Sequence, residues 1–137
     1  MAKQLWVERR EDGNWEGHSS EGASIVIGHE EGMFNPGDLM KIALAACGSM
    51  SSRMPVERVL GKNKGARIEV SGDYDDDNDR YNSFSEKVIV DASDKGLNDE
   101  DARKLEKRIR AHIEKDCTVA HTYIQRTPVD IEIEVKH

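Results

Sequence analysis

Residues 39 to 50 of this chain, Leu39-Met40-Lys41-Ile42-Ala43-Leu44-Ala45-Ala46-Cys47-Gly48-Ser49-Met50, form a run that is apolar on nearly every helical face, with Lys41 the exception. A helix that is apolar all round belongs in an interior, not on a surface. The helix start just before it is strongly signed. Asn35 suits the N-cap, Pro36 the first helical position, and Asp38 the third, where a carboxylate can reach back as in a capping box. Phe34 and Leu39 fall at the two staple positions. At about fifteen residues the helix is shorter than the roughly 20 a membrane span needs. Ala43, Ala45, Ala46 and Gly48 allow other elements to approach closely. Other elements are therefore expected to pack over this helix.

The supply of material for that packing is thin. The 137 residues are 36% hydrophobic but only 5% aromatic, and 34% charged. This length suits one domain, residues 1–137, or one half of an intimate dimer. Burial against a partner subunit would enlarge a small core, so a homodimer is expected. The net charge of −7 argues against nucleic-acid binding, which needs a basic stripe. Met1-Ala2-Lys3-Gln4-Leu5-Trp6 lacks the apolar core of a signal peptide, and no segment is long enough to span a membrane. The expected location is cytoplasmic. There, two cysteines are more often free thiols, catalytic groups or ligands than a standing disulfide.

Strands come first. Gln4–Glu8, Trp15–His18 and Ala23–Ile27 are separated by turn signals at Glu11-Asp12-Gly13-Asn14 and Ser20-Glu21-Gly22. The apolar helix follows. Pro55 kinks or restarts it, and Val56–Leu60 continues to a stop at Gly61. Ala66–Val70 and Glu86–Val90 read as two more strands. The Asp- and Asn-rich stretch from Asp73 to Arg80 suits an exposed hairpin loop; it lacks the glycine and terminal glutamate of a calcium-binding EF-hand loop. A second helix begins at the cap Asn98, with Asp101 three residues on. Its inner stripe is Ala102, Leu105, Ile109 and Ile113, and its basic residues form a solvated face. Cys117–Gln125 is a short further helix. Thr127–Lys136 is expected as a closing strand, with Val129, Ile131, Ile133 and Val135 on one face. The order is that of an α+β domain with antiparallel strands.

Cys47 and Cys117 are the only cysteines. Cys47 in an apolar helix reads most simply as a small core residue. Cys117, at a helix start, sits where a thiolate is favoured. Taken alone, that argument makes Cys117 the more acidic thiol. His121, four residues on, shares its helix face. It can tune that thiol or simply pack. Cys47, Cys117, His121 and His18 include zinc-ligand types but lack paired Cys-x-x-Cys spacing.

The stretch Asn35-Pro36-Gly37-Asp38-Leu39 followed by Leu44-Ala45-Ala46-Cys47-Gly48-Ser49-Met50 resembles the OsmC/Ohr family, whose members carry an Asn-Pro-Glu start to a buried helix ending near Ala-Ala-Cys. Cys117 at a helix start, followed by a closing strand after Pro128, is similar to the family's second motif. The resemblance implies antiparallel sheets packed around a buried central helix in an intertwined homodimer. It implies a thiol peroxidase acting on organic hydroperoxides or hydrogen peroxide, with no metal or organic cofactor. Cys47 would attack the peroxide oxygen as a thiolate and become a sulfenic acid. Cys117 would then condense with it to a disulfide, and a lipoyl or thioredoxin-like dithiol would reset the pair.

The family's activating arginine lies in the first hairpin, where this chain has Arg9 and Arg10; Arg10, nearer the turn, is the expected residue, with Arg53 in reserve. Three positions depart from the pattern. Gly37 stands where the family has a glutamate that helps orient the arginine, so that role is vacant or falls to Asp38, Glu30 or Glu31. Thr118 replaces a proline after the second cysteine. Gly48 replaces an aromatic residue after the first. The alternative function is an OsmC-like small-ligand-binding or structural dimer without efficient peroxidase activity.

Overall fold

The computed structural model describes residues 2–136. The chain groups into two compact units, one running to Ile42 and the other from Ala43 onward. In the first, strands β1 (Leu5–Arg9), β2 (Trp15–Ser19) and β3 (Ser24–Ile27) form one antiparallel sheet in chain order. Register pairs Val7 with Gly17 and Gly17 with Ile25. The first turn closes through Arg10 N–H to the Asn14 carbonyl at 2.8 Å, with Gly13 at φ +89° supplying the left-handed residue such a turn needs. Asn14 is buried at 7% exposure. A Cβ at Gly28 would lie 2.5 Å from its Oδ1, so that position admits no side chain.

Helix α1 runs Pro36–Ser51. Its start is the expected reciprocal cap. The Asn35 side chain accepts from Asp38 N–H at 2.8 Å, and the Asp38 carboxylate accepts from Asn35 N–H at 3.0 Å. Helix α2 (Arg53–Leu60) follows after Ser52 and ends at Gly61, φ +111°. Pro55 sits in its first turn, where a missing N–H costs little. Ser52 is fully buried, its hydroxyl donating to the Gly48 carbonyl at 2.8 Å.

In the second unit, β4 (Arg67–Asp75) and β5 (Arg80–Ile89) form a two-stranded antiparallel hairpin. Both strands run further into the acidic stretch than their apolar alternation extends. The Asp and Asn residues there serve the turn: the Asp75 carboxylate accepts from the N–H groups of Asp77 and Asn78 and from the Asn78 side chain. Helix α3 (Asp99–Asp116) opens with the predicted Asn98–Asp101 capping box. Val56 of α2 and Leu105 and Ile109 of α3 form the core, with Val88, Val90 and Ile113 partly buried against it. A short helix, α4 (Thr118–Tyr123), follows. Its Tyr123 ring packs on Phe84 of β5, centroids 5.4 Å apart.

Two expectations need correction. Thr127–Lys136 forms no strand within this chain. The alternation is real, but Val129, Ile131, Ile133 and Val135 are 83, 82, 81 and 77% exposed. A strand needs a neighbour's hydrogen-bond ladder, and none of the chain's own strands pairs with this segment. Nor is α1 buried on all faces. Leu44 and Gly48 are enclosed, whereas Met40, Ile42 and Met50 are 40, 42 and 77% exposed. A single chain of this size lacks the surface to cover them.

Candidate active site

The second unit brings the two cysteines together. Cys47 lies four residues before the end of α1, and Cys117 joins α3 to α4. Cys117 N–H closes α3 by donating to the Ile113 carbonyl at 3.0 Å, and its carbonyl accepts from His121 N–H at 3.0 Å to open α4. This double duty fixes the cysteine's backbone. The Phe84–Tyr123 ring contact holds the far end of α4. Cys117 is fully buried; Cys47 is partly exposed.

The two thiols act on each other's ionisation, Cys117 favouring the Cys47 thiolate and being raised in return. Their environments push them apart. Burial pushes Cys47 up, but hydrogen bonds outweigh it: Val119 N–H, the Cys117 thiol, the Ser51 hydroxyl and Thr118 N–H all stabilise its thiolate. Its pKa falls below the ordinary thiol value. The Ser51 hydroxyl also meets the Cys47 carbonyl, at 2.6 Å. Cys117 goes the other way. Burial pushes it up, Ala120 N–H pulls it down, and bonding and charge from Cys47 and the negative charge of Glu86 raise it further. These directions run against the argument that a helix start makes Cys117 the more acidic thiol. The first N–H groups of α4, those of Thr118 and Val119, serve the sulfur of Cys47.

Glu86 is the residue that sequence reasoning missed. It stands on β5 opposite Val70, in step with the partly buried Phe84 and Val88. Its Oε1 is enclosed and has no hydrogen-bond partner among the described residues. Burial raises its pKa above the usual carboxylate value. A Cβ on Gly48 would lie 2.9 Å from that oxygen and 3.4 Å from Ile68 Cδ1. The space beside Gly48 is thus taken by a carboxyl. The signal was present in the sequence: in Glu86-Lys87-Val88-Ile89-Val90, alternation puts Glu86 on the face of Val88 and Val90.

In the first unit, Arg10 is held by a pair of carboxylates that were not anticipated. Its Nε donates to Asp12 at 3.1 Å and one terminal nitrogen to Glu16 at 2.7 Å, which keeps its pKa raised. The expected holders are occupied elsewhere or placed apart. Asp38 bonds the Asn35 main chain, and Glu30 and Glu31 are exposed in the turn after β3. Arg9 donates to the Gly13 carbonyl at 2.7 Å and lies 4.2 Å above the Trp15 ring. Arg53 is exposed at the start of α2. The ring of His121 donates from Nε2 to the Glu114 carbonyl at 2.6 Å, pinning α4 to the end of α3. His18 stacks on Trp6, centroids 5.5 Å apart. Among the described residues, no group of three or more His, Cys, Asp and Glu is placed to hold a metal. No helix among them is long and apolar enough to cross a membrane.

Such a pair, one thiol with a lowered pKa and partly exposed beside a second that is buried with its pKa raised, suits a nucleophile and a resolving thiol. Comparison with known proteins agrees at the level of fold and family. An OsmC-like protein from Mycoplasma pneumoniae superposes with a TM-score of 0.63 at 12% identity, over 90% of this chain and 88% of that one. An OsmC-like protein of unknown function from Vibrio cholerae gives 0.57 at 12% identity, over 89% and 93%. Uncharacterized proteins of Mycobacterium tuberculosis and Mycobacterium bovis are 40% identical over 132 residues, 95% of each chain. The family model described as OsmC-like protein matches residues 28–134. Both cysteines and Glu86 fall inside that match, and the chain belongs to the OsmC-like protein family.

Proposed function

We propose that this protein is a two-cysteine thiol peroxidase that reduces small organic hydroperoxides. The observation that carries the reading is the pairing of the partly exposed Cys47 near the end of α1 with the buried Cys117 at the α3–α4 junction, each thiol acting on the other's ionisation. Cys47 attacks the terminal peroxide oxygen as a thiolate; the O–O bond breaks and an alcohol leaves. The resulting sulfenic acid condenses with Cys117 to a disulfide and water. A dithiol of the lipoyl or thioredoxin type then reduces the disulfide. Arg10, pre-set by Asp12 and Glu16, supplies the fixed cation that draws the peroxide and its developing negative charge. The reading places the enzyme in the cytoplasm, where such reductants keep thiols reduced.

The working form in this reading is a homodimer. Val7 of β1, Met50 of α1 and Ile131 are 58, 77 and 82% exposed, and apolar surface on this scale is normally covered by a partner. The C-terminal alternation of Val129, Ile131, Ile133 and Val135 supports pairing across copies. Turnover of cumene hydroperoxide with a dithiol reductant tests the reading. Wild type should consume peroxide catalytically, and Cys47→Ser should not. Equal consumption by both would refute it.

A further inference from the structure

A glutamate on the core-facing side of a strand needs a reason. Glu86 shares its face of β5 with Phe84 and Val88, yet its Oε1 is enclosed without a hydrogen-bond donor among the described residues. Enclosed carboxyl oxygens without partners are rare in proteins, and perturbed carboxyls concentrate where chemistry uses them. This one lies beside the dithiol. Its oxygen sits 2.9 Å from where a Cβ of Gly48 would be, and Gly48 is the residue after Cys47. Glycine is what leaves room for the carboxyl there. The side chain is also close enough to Cys117 for its charge to oppose ionisation of that thiol.

We propose that Glu86 is the proton carrier of the dithiol. Its neutral carboxyl protonates the oxygen that leaves when Cys47 attacks a hydroperoxide, and its carboxylate then relays the Cys117 thiol proton as the disulfide closes. The proposal rests on the two-cysteine peroxidase reading. In the first step the Cys47 thiolate, ROOH and the Glu86 carboxyl give a Cys47 sulfenic acid, ROH and the Glu86 carboxylate. The S–O bond forms, the O–O bond breaks, and sulfur supplies the two electrons. In the second, the carboxylate takes the Cys117 proton, the thiolate attacks the sulfenic sulfur, and the departing hydroxide receives that proton as water. When a dithiol reductant opens the disulfide, its two protons restore the Cys117 thiol and the Glu86 carboxyl, leaving Cys47 as the thiolate.

Burial raises the pKa of this carboxyl, which favours the protonated form that the first step uses. The charged and titratable groups that face it come from three helices. Cys47 lies on α1 and Cys117 at the head of α4. Glu106, Arg110 and Glu114 of α3 and His121 of α4 line the same apolar trough as Glu86, which has a volume of about 880 Å³. Its partner across β4, Val70, carries no charge.

Single-turnover oxidation of Cys47 by cumene hydroperoxide, followed from about pH 5 to pH 9 in the full-length protein, tests this. Wild type should give a bell, because one group must be ionised and another protonated. Glu86→Gln should react at least about tenfold more slowly at the wild-type optimum. It should keep only the limb that rises as the thiolate forms. Glu86→Asp retains a titratable proton and should keep both limbs at a reduced rate. A Glu86→Gln protein with the wild-type rate and the wild-type bell overturns the proton-carrier role and leaves the peroxidase reading standing. Should Glu86→Gln fail to fold by circular dichroism, a Glu86→Asp protein without the second limb overturns the role equally. A wild type that loses no thiol to stoichiometric hydroperoxide overturns both readings.

Discussion

Removing the sulfur of Cys117 should make Cys47 a weaker acid, by an amount that follows from the donors around it. Val119 N–H, the Cys117 thiol, Ser51 and Thr118 N–H each favour the Cys47 thiolate. Cys117→Ala deletes one of these and leaves the other three. A hydrogen bond to a charged group contributes about 1.5–3 kcal/mol. An S–H is a weak donor, and Cys47 is partly exposed, so the lower end applies. About 1.4 kcal/mol corresponds to one pKa unit. The sign is upward, because the lost donor stabilised the thiolate. At a pH below the thiol's pKa, one unit lowers the thiolate fraction about tenfold. The more basic thiolate is intrinsically more nucleophilic and regains roughly threefold. First-step oxidation should therefore be about threefold slower. Cys117→Ser is the control, since its hydroxyl can still donate. Both variants contain a single cysteine, so ultraviolet thiolate absorbance against pH reports Cys47 alone. The reasoning predicts a Cys47 pKa about one unit higher in Cys117→Ala than in Cys117→Ser. Equal values, or a lower one in the alanine variant, would refute it.

Two further outcomes follow from the first unit and the exposed faces. Arg10→Ala should slow peroxide reduction by at least about tenfold while thermal stability changes little, because its ion pairs with Asp12 and Glu16 are solvent-accessible; an unchanged rate in Arg10→Ala with activity abolished in Arg53→Ala would move the cation to α2. Sedimentation at micromolar concentration should find only dimer, and a monomer that keeps native circular dichroism would contradict the partner-covered faces.

The elements of this fold were legible because their ends are chemically marked. The Asn35–Asp38 and Asn98–Asp101 boxes, Gly61 and the Asp12-Gly13 turn each satisfy backbone groups locally, so a short stretch of sequence suffices to read them. The last strand failed for the opposite reason. Its alternation specifies a face but not a neighbour, and this chain offers it none. The same holds at the site. The cysteine pair was readable from motifs, yet which thiol is acidified depended on where the N–H groups of Thr118 and Val119 point. A helix-start argument assigned them to Cys117, whereas in the fold they lower the pKa of Cys47. Arg10 was expected to be held by Asp38 or Glu31, across a long stretch of chain. Asp12 and Glu16, two and six residues away, suffice. Glu86 was hidden because a charged residue in a strand is ordinarily taken as facing water, although the period placed it on the core face.

The central claim is that Cys47 and Cys117 form one redox unit. Treating the reduced protein with one equivalent of cumene hydroperoxide and measuring its intact mass and its disulfide-linked peptides tests this most directly. The account predicts the loss of two hydrogens with a Cys47–Cys117 linkage in the wild type, and a trapped Cys47 sulfenic acid in Cys117→Ser. Slow oxidation of both cysteines to the same extent, only under excess peroxide and without linkage, would contradict it.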